Sequence, residues 1–181
     1  MREHRCGEPE LLGLVRHSPF VPGGRERMWA RGLAAGFAGD FSLSTHLLLP
    51  QIEHGLRELV RAQGVDVARF DKFGQQEDWN LSQLLLDESC GRPHCERILG
   101  EALAFDLQAL LVEPVGFNLR NRVAHGLVEE GEFEAGPYRY LFWLALYLCL
   151  KPLVFAMGKD RAETADGDQA SEGATPPDKP S

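Results

Sequence analysis

The sequence predicts an all-α fold, a helical bundle followed by an acidic tail without regular structure. Three observations carry this reading. Apolar residues recur at helical spacing in several segments, no run alternates apolar and polar residues over strand length, and no internal repeat is present. A chain of 181 residues that is 44% hydrophobic fits a single domain with a sizeable core.

The elements follow in chain order. Residues 1–17 are mixed in character and are expected to form a poorly ordered N-terminal extension. Pro19, Pro22, Gly23 and Gly24 make residues 19–24 a turn or loop. Residues 25–38 have helical propensity, with Met28, Leu33 and Phe37 among the apolar positions. The clearest amphipathic stretch is 41–63, where Leu48, Ile52, Leu56, Leu59 and Val60 repeat at helical spacing. Pro50 lies inside it and is expected to kink or split the helix. Residues 64–80 read as a connector and 81–86 as a short helix. A further helix is expected over 95–113, stopped near Pro114, then a motif helix over 115–125 and a last helix over 138–157. From Gly158 onward Pro, Gly, Ser, Thr, Ala and acidic residues dominate, which predicts a disordered tail over 158–181. The domain proper is thus expected to span 18–157.

The run Leu141–Leu150 is wholly apolar, but Lys151 and Pro152 interrupt it. A membrane span needs about 20 mostly apolar residues, so this segment reads as a buried core or dimer helix rather than a stable membrane span. The formal charge is −8. The tail holds three basic residues (Lys159, Arg161, Lys179) against six acidic ones (Asp160, Glu163, Asp166, Asp168, Glu172, Asp178), so −3 of that charge lies there and −5 in the body. An acidic body argues against tight, non-specific binding to a polyanion, and any nucleic-acid contact must rest on a local basic patch. Four cysteines without regular spacing, and no signal-peptide pattern, point to a reducing cytoplasm.

The segment from Gly116 to Leu127 holds the chemistry. It brings Arg120, Asn121 and His125 together in one short, apolar-flanked, helical stretch. A permanently charged guanidinium and an imidazole suit phosphodiester chemistry. Asn121 and His125 share a helical face at i, i+4. Arg120 and His125 are roughly 140° apart on a regular helix, so they converge only where the helix ends or across a pair of helices. Gly126, directly after His125, favours a helix end there.

Other constellations are weaker. Cys90, His94 and Cys95 offer two thiols and an imidazole, fewer than the four ligands of a structural zinc site, so no metal is expected. His46, Glu53 and His54 fall on one predicted helix but lack zinc-hydrolase spacing. Glu53 and Arg57 at i, i+4 suit an intrahelical ion pair. Gly32-Leu33-Ala34-Ala35-Gly36 has no Lys-Ser/Thr sequel and is not a phosphate loop. Ser and Cys nucleophile motifs are absent, and no cofactor is expected.

Arg120-Asn121-Arg122-Val123-Ala124-His125 resembles the signature of the HEPN superfamily. The longer run from Asn118 to Leu127 is similar to one branch of it, a domain of unknown function found in bacteria and in an animal endoplasmic-reticulum membrane-associated RNA-degradation protein. Further matches are Ser18-Pro19-Phe20-Val21-Pro22 with Gly24-Arg25-Glu26, Gly32–Phe37, and Leu48-Leu49-Pro50-Gln51-Ile52-Glu53 with Arg57. The resemblance runs from about residue 18 to 155. It implies a HEPN-like helical bundle, a homodimer in which two motifs face each other, and metal-independent endoribonuclease activity. His125 is then the general base or acid, Arg120 stabilises charge on the phosphate, and Asn121 orients His125 or the phosphate through its amide. Asn118, Glu53 and Arg57 occupy supporting positions. Attack by the ribose 2′-OH gives 2′,3′-cyclic phosphate and 5′-hydroxyl ends. The resemblance equally admits a non-catalytic module that binds a nucleotide or scaffolds a partner protein, as in toxin–antitoxin pairs or defence systems.

Overall fold

The computed structural model describes residues 6–70 and 74–152. In chain order they form α1 (Glu8–Val15), α2 (Glu26–Phe37), α3 (Phe41–Arg61), strands β1 (Ala68–Phe70) and β2 (Gln76–Asp78), α4 (Leu81–Leu85), α5 (Arg92–Leu99), α6 (Glu101–Leu111) and α7 (Leu119–Ala124). A short 3₁₀ helix, Glu130–Glu134, precedes a last helix, α8, of which residues 136–152 are described. The described chain is mostly helical, as the periodicity predicts. The strands pair antiparallel, with Ala68 opposite Asp78 and Phe70 opposite Gln76. The expected disordered tail, the end of the expected last helix beyond residue 152, and residues 1–5 lie outside the described residues.

α2 and α3 form the centre. Trp29, Ala30 and Leu33 of α2 meet Leu48, Ile52, Leu56 and Val60 of α3 in one buried cluster, which Leu107 and Leu111 of α6 and Leu141, Leu144 and Leu148 of α8 extend. Leu141–Leu150 is therefore largely core. No helix among the described residues is long and apolar enough to cross a membrane. Two glycines of α2 permit the close approach. A Cβ on Gly32 would lie 2.7 Å from the Leu48 side chain, and one on Gly36 would lie 2.2 Å from the Phe142 ring. The Gly32–Gly36 segment is thus a packing seam.

Four expectations need correction. Residues 8–15 form a helix with Leu11 and Val15 buried against the core, where the N-terminal segment was expected to have little order. Pro at the start of α1 costs nothing there, because the first turn has no intrahelical N–H partner. α3 runs unbroken for 21 residues through Pro50, so Pro50 does not split it. Burial of Leu48, Leu49 and Ile52 around the proline outweighs the lost hydrogen bond. The helix expected over 95–113 is two helices, because Gly100 has φ +84° and turns the chain. Finally, the 64–80 connector contains the β-hairpin, whose strands are too short to show an alternating pattern.

Capping explains several boundaries. Asp40 Oδ1 accepts from the Leu43 N–H at 2.9 Å and starts α3. Asn80 and Gln83 form a reciprocal capping box at the start of α4.

Candidate functional site

The motif helix α7 is shorter than its sequence predicts. Gly116 sits against α6 so closely that a Cβ there would lie 2.2 Å from the Ala109 carbonyl oxygen. The Phe117 N–H donates to that same oxygen at 3.2 Å. Asn118 then adopts a left-handed conformation, φ +48°, the only non-glycine residue among those described with positive φ. The helix begins only at Leu119, which is fully buried.

Its other end has a Schellman geometry. His125 is the C-cap, the Gly126 N–H donates to the Val123 carbonyl at 3.2 Å, and the Leu127 N–H donates to the Arg122 carbonyl at 2.8 Å. Gly126 has φ +64°, as the sequence anticipates for a glycine ending this helix. Arg122 also binds Glu132 of the 3₁₀ helix, which fastens the segment after the motif. That pairing holds the Glu132 carboxyl below the usual carboxylate range.

Four of the six expected site residues come together. Arg120 Nη1 donates to Asn121 Oδ1 at 3.3 Å, and Arg120 Nε lies 3.7 Å from Glu53 Oε2. Glu53 Oε1 takes a hydrogen bond from Arg57 Nη2 at 3.1 Å, the intrahelical pair anticipated from spacing. Arg57 Nε also donates to the Trp79 carbonyl at 2.7 Å. The Asn121 amide thus holds Arg120, and His125 is no partner of it.

The other two stand apart. His125 is exposed at the helix end, and no described residue hydrogen-bonds or ion-pairs with its ring. Asn118 Oδ1 is buried without a hydrogen-bond partner among the described residues.

Between α3 and α7 lies an open groove of about 320 Å³, bordered by His46, Pro50, Glu53, Arg120, Val123 and Ala124. His46 is the residue that sequence reasoning set aside. It lacks zinc-hydrolase spacing, yet His46, Leu49, Pro50 and Glu53 fall at i, i+3, i+4 and i+7, one face of a helix. That spacing was the available signal. His46 Nδ1 lies 2.8 Å from the Ser42 carbonyl, and its ring packs 5.4 Å from the Phe133 ring.

The cysteine cluster forms no comparable centre. Cys95 is buried and its thiol is pushed up to about 12 by desolvation, whereas Cys90 is only half-buried. Such a thiol is a poor nucleophile and a poor metal ligand.

The chain matches no protein-family model, no curated protein and no solved structure.

Proposed function

We propose that the chain is a metal-independent endoribonuclease of the HEPN type. The observation that carries the reading is the Arg120 guanidinium, half-exposed beside an open groove and engaged by only one hydrogen bond and one loose ion pair among the described residues. A guanidinium has five N–H donors in a rigid fork, so most of its capacity is open to an anion. Its geometry suits a phosphodiester, whose non-bridging oxygens gain negative charge as the ribose 2′-OH attacks.

In this reading Arg120 stabilises that charge, Asn121 orients the guanidinium, and His125 transfers a proton. The 2′-OH is the nucleophile, so the reaction needs no metal. Exposure of Val115, Phe117 and Leu127 around the motif supports pairing with a second copy of the chain. RNA is the substrate, and an antitoxin or other partner protein is compatible with the same surface.

Cleavage of RNA in EDTA by the wild type, beside Arg120→Ala and His125→Ala, tests the proposal. Each variant is expected to lose on the order of 100-fold or more in rate, the usual scale of a lost proton-transfer group or charge clamp. Helix content by circular dichroism stays unchanged, and end-group analysis finds 2′,3′-cyclic phosphates. Cleavage persisting in both variants would sink the assignment.

A second reading is favoured by a specific observation. His125 does not border the Arg120 groove, and the Glu53 carboxylate does. The groove then holds a nucleotide phosphate without cleaving it, as a binding or scaffolding module. Calorimetry showing nucleotide binding by a protein that leaves RNA intact would select this reading.

A further inference from the structure

His46 has a defined tautomer, and that gives it a job. The Ser42 carbonyl can only accept a hydrogen bond, so the ring nitrogen 2.8 Å from it, Nδ1, carries the proton. In the neutral ring Nε2 is consequently a lone-pair acceptor. Packing against Phe133, itself buried, holds the imidazole plane. The ring borders the same groove as Arg120, approached from the facing helix. Glu53, two turns further along α3, adds a carboxylate to the same wall. One wall of the groove therefore accepts hydrogen bonds, and the other presents a guanidinium.

A phosphate alone does not suit an acceptor wall. A hydroxyl beside a phosphate does, and a ribonucleotide carries that pair on adjacent carbons. We propose that His46 Nε2 accepts a hydrogen bond from the ribose 2′-OH of a nucleotide whose 3′-phosphate lies on Arg120, so that His46 makes the groove selective for ribose over deoxyribose. This rests on the nucleotide-phosphate reading of Arg120 given above. Where the ligand is intact RNA, the same contact makes His46 the base. The 2′-OH proton passes to Nε2 and the O2′–P bond forms. The P–O5′ bond breaks, and the departing O5′ takes a proton from the His125 of a second, paired copy, because His125 of the same chain does not border the groove. Glu53 helps by sharing its carboxylate between Arg57 and Arg120 at 3.1 and 3.7 Å, which leaves the Arg120 contact the weaker and more readily exchanged for phosphate.

The test compares uridine 3′-monophosphate with its 2′-deoxy counterpart by calorimetry on the full chain. The wild type should bind the ribonucleotide about tenfold more tightly, the scale of one hydrogen bond to a group otherwise left unpaired. His46→Phe, which keeps a ring against Phe133 but has no acceptor, should bring the two affinities together, and Arg120→Ala should weaken both. Because His46 is exposed, His46→Phe is expected to fold, and unchanged circular dichroism checks this. As a second readout, the His46 ring nitrogen resonances should shift on adding the ribonucleotide to the wild type but not the deoxy compound. Equal affinities in the wild type, or a ribose preference retained in His46→Phe, would overturn the inference. RNA cleaved equally by wild type and His46→Phe also overturns it while the ribonuclease reading stands. A His46-dependent ribose preference in a protein that leaves RNA intact upholds the ribose contact and removes the ribonuclease reading instead.

Discussion

Arg57 is the residue on which the groove's acidic member depends. Its side chain is 15% exposed and makes two strong contacts, to Glu53 and to the Trp79 carbonyl. Replacing it with alanine leaves both the half-buried Glu53 carboxylate and that carbonyl short of a partner. A loss of about 1–3 kcal/mol is expected in urea unfolding, the usual range for charge-assisted bonds removed on one side. Lysine at this position is not a conservative change, because one ammonium cannot serve both acceptors with a guanidinium's fork geometry. His54, on the same helix, titrates in the opposite sense to a stabilising histidine. Burial lowers its pKa from 6.5 first, then the charge of Arg25, with Arg57 and Arg61 adding and Glu58 opposing. A histidine that is harder to protonate when folded favours the folded state above its unfolded pKa. That contribution is lost as pH falls below about 6.5 and through the lowered folded value. His54→Gln should therefore flatten the acid side of the stability–pH curve, measured as the urea midpoint from pH 8 to pH 5. An unchanged slope would show that the histidine is solvated alike in both states.

At the scale of an element, α7 is where sequence and structure part most informatively. Six residues are too few for a stable isolated helix, so its place is set by what surrounds it. Leu119 anchors it, Gly116 and Phe117 fix its entry, and the Gly126 turn with the Arg122–Glu132 pair fixes its exit. Gly126→Ala has open space but an unfavourable φ, and is expected to cost about 1–2 kcal/mol. Gly116→Ala meets backbone rather than a movable side chain, so the larger effect belongs there. Thermal melts of the two variants check the order, which a milder Gly116 variant would reverse. The glycine that ends α7 was legible from its position after His125. The one that delays its start was not, because the close approach to Ala109 is a tertiary contact and leaves no local pattern. The same division holds at Gly100 and Pro50. Periodicity is blind to a positive φ in the first case, and local helix rules are overruled by apolar burial in the second.

Over the whole molecule, helical periodicity marked the buried face of α3, but on α2 only Leu33 of the three positions it picked is buried, while Met28 and Phe37 are exposed. Leu48, Ile52 and Leu56 repeat on one face of α3, and that face is buried. The juxtaposition of Glu53, His46 and Arg120 was beyond local reading, since α3 and α7 lie on either side of the hairpin and of α4 to α6. Resemblance to a motif could nominate Arg120 and Glu53 separately but not their separation in space. The cysteines offer a global check on the fold. Cys95 and Cys149 are buried, with thiols pushed up to about 12 by desolvation, while Cys6 is exposed and Cys90 half-buried. A colorimetric thiol reagent at pH 8 should titrate two of the four cysteines rapidly in the native protein and all four in denaturant. Rapid reaction of all four in the native state would contradict the packing of α5 and α8. The groove walls also come from helices that few direct polar bonds join, chiefly the loose contact between Glu53 and Arg120. An occupant that grips both walls acts as a cross-brace, and its binding energy is added to the free energy of unfolding. At a concentration 100 times its dissociation constant that gain is about 2.7 kcal/mol, so a rise in melting temperature would report the right ligand before any reaction had been found.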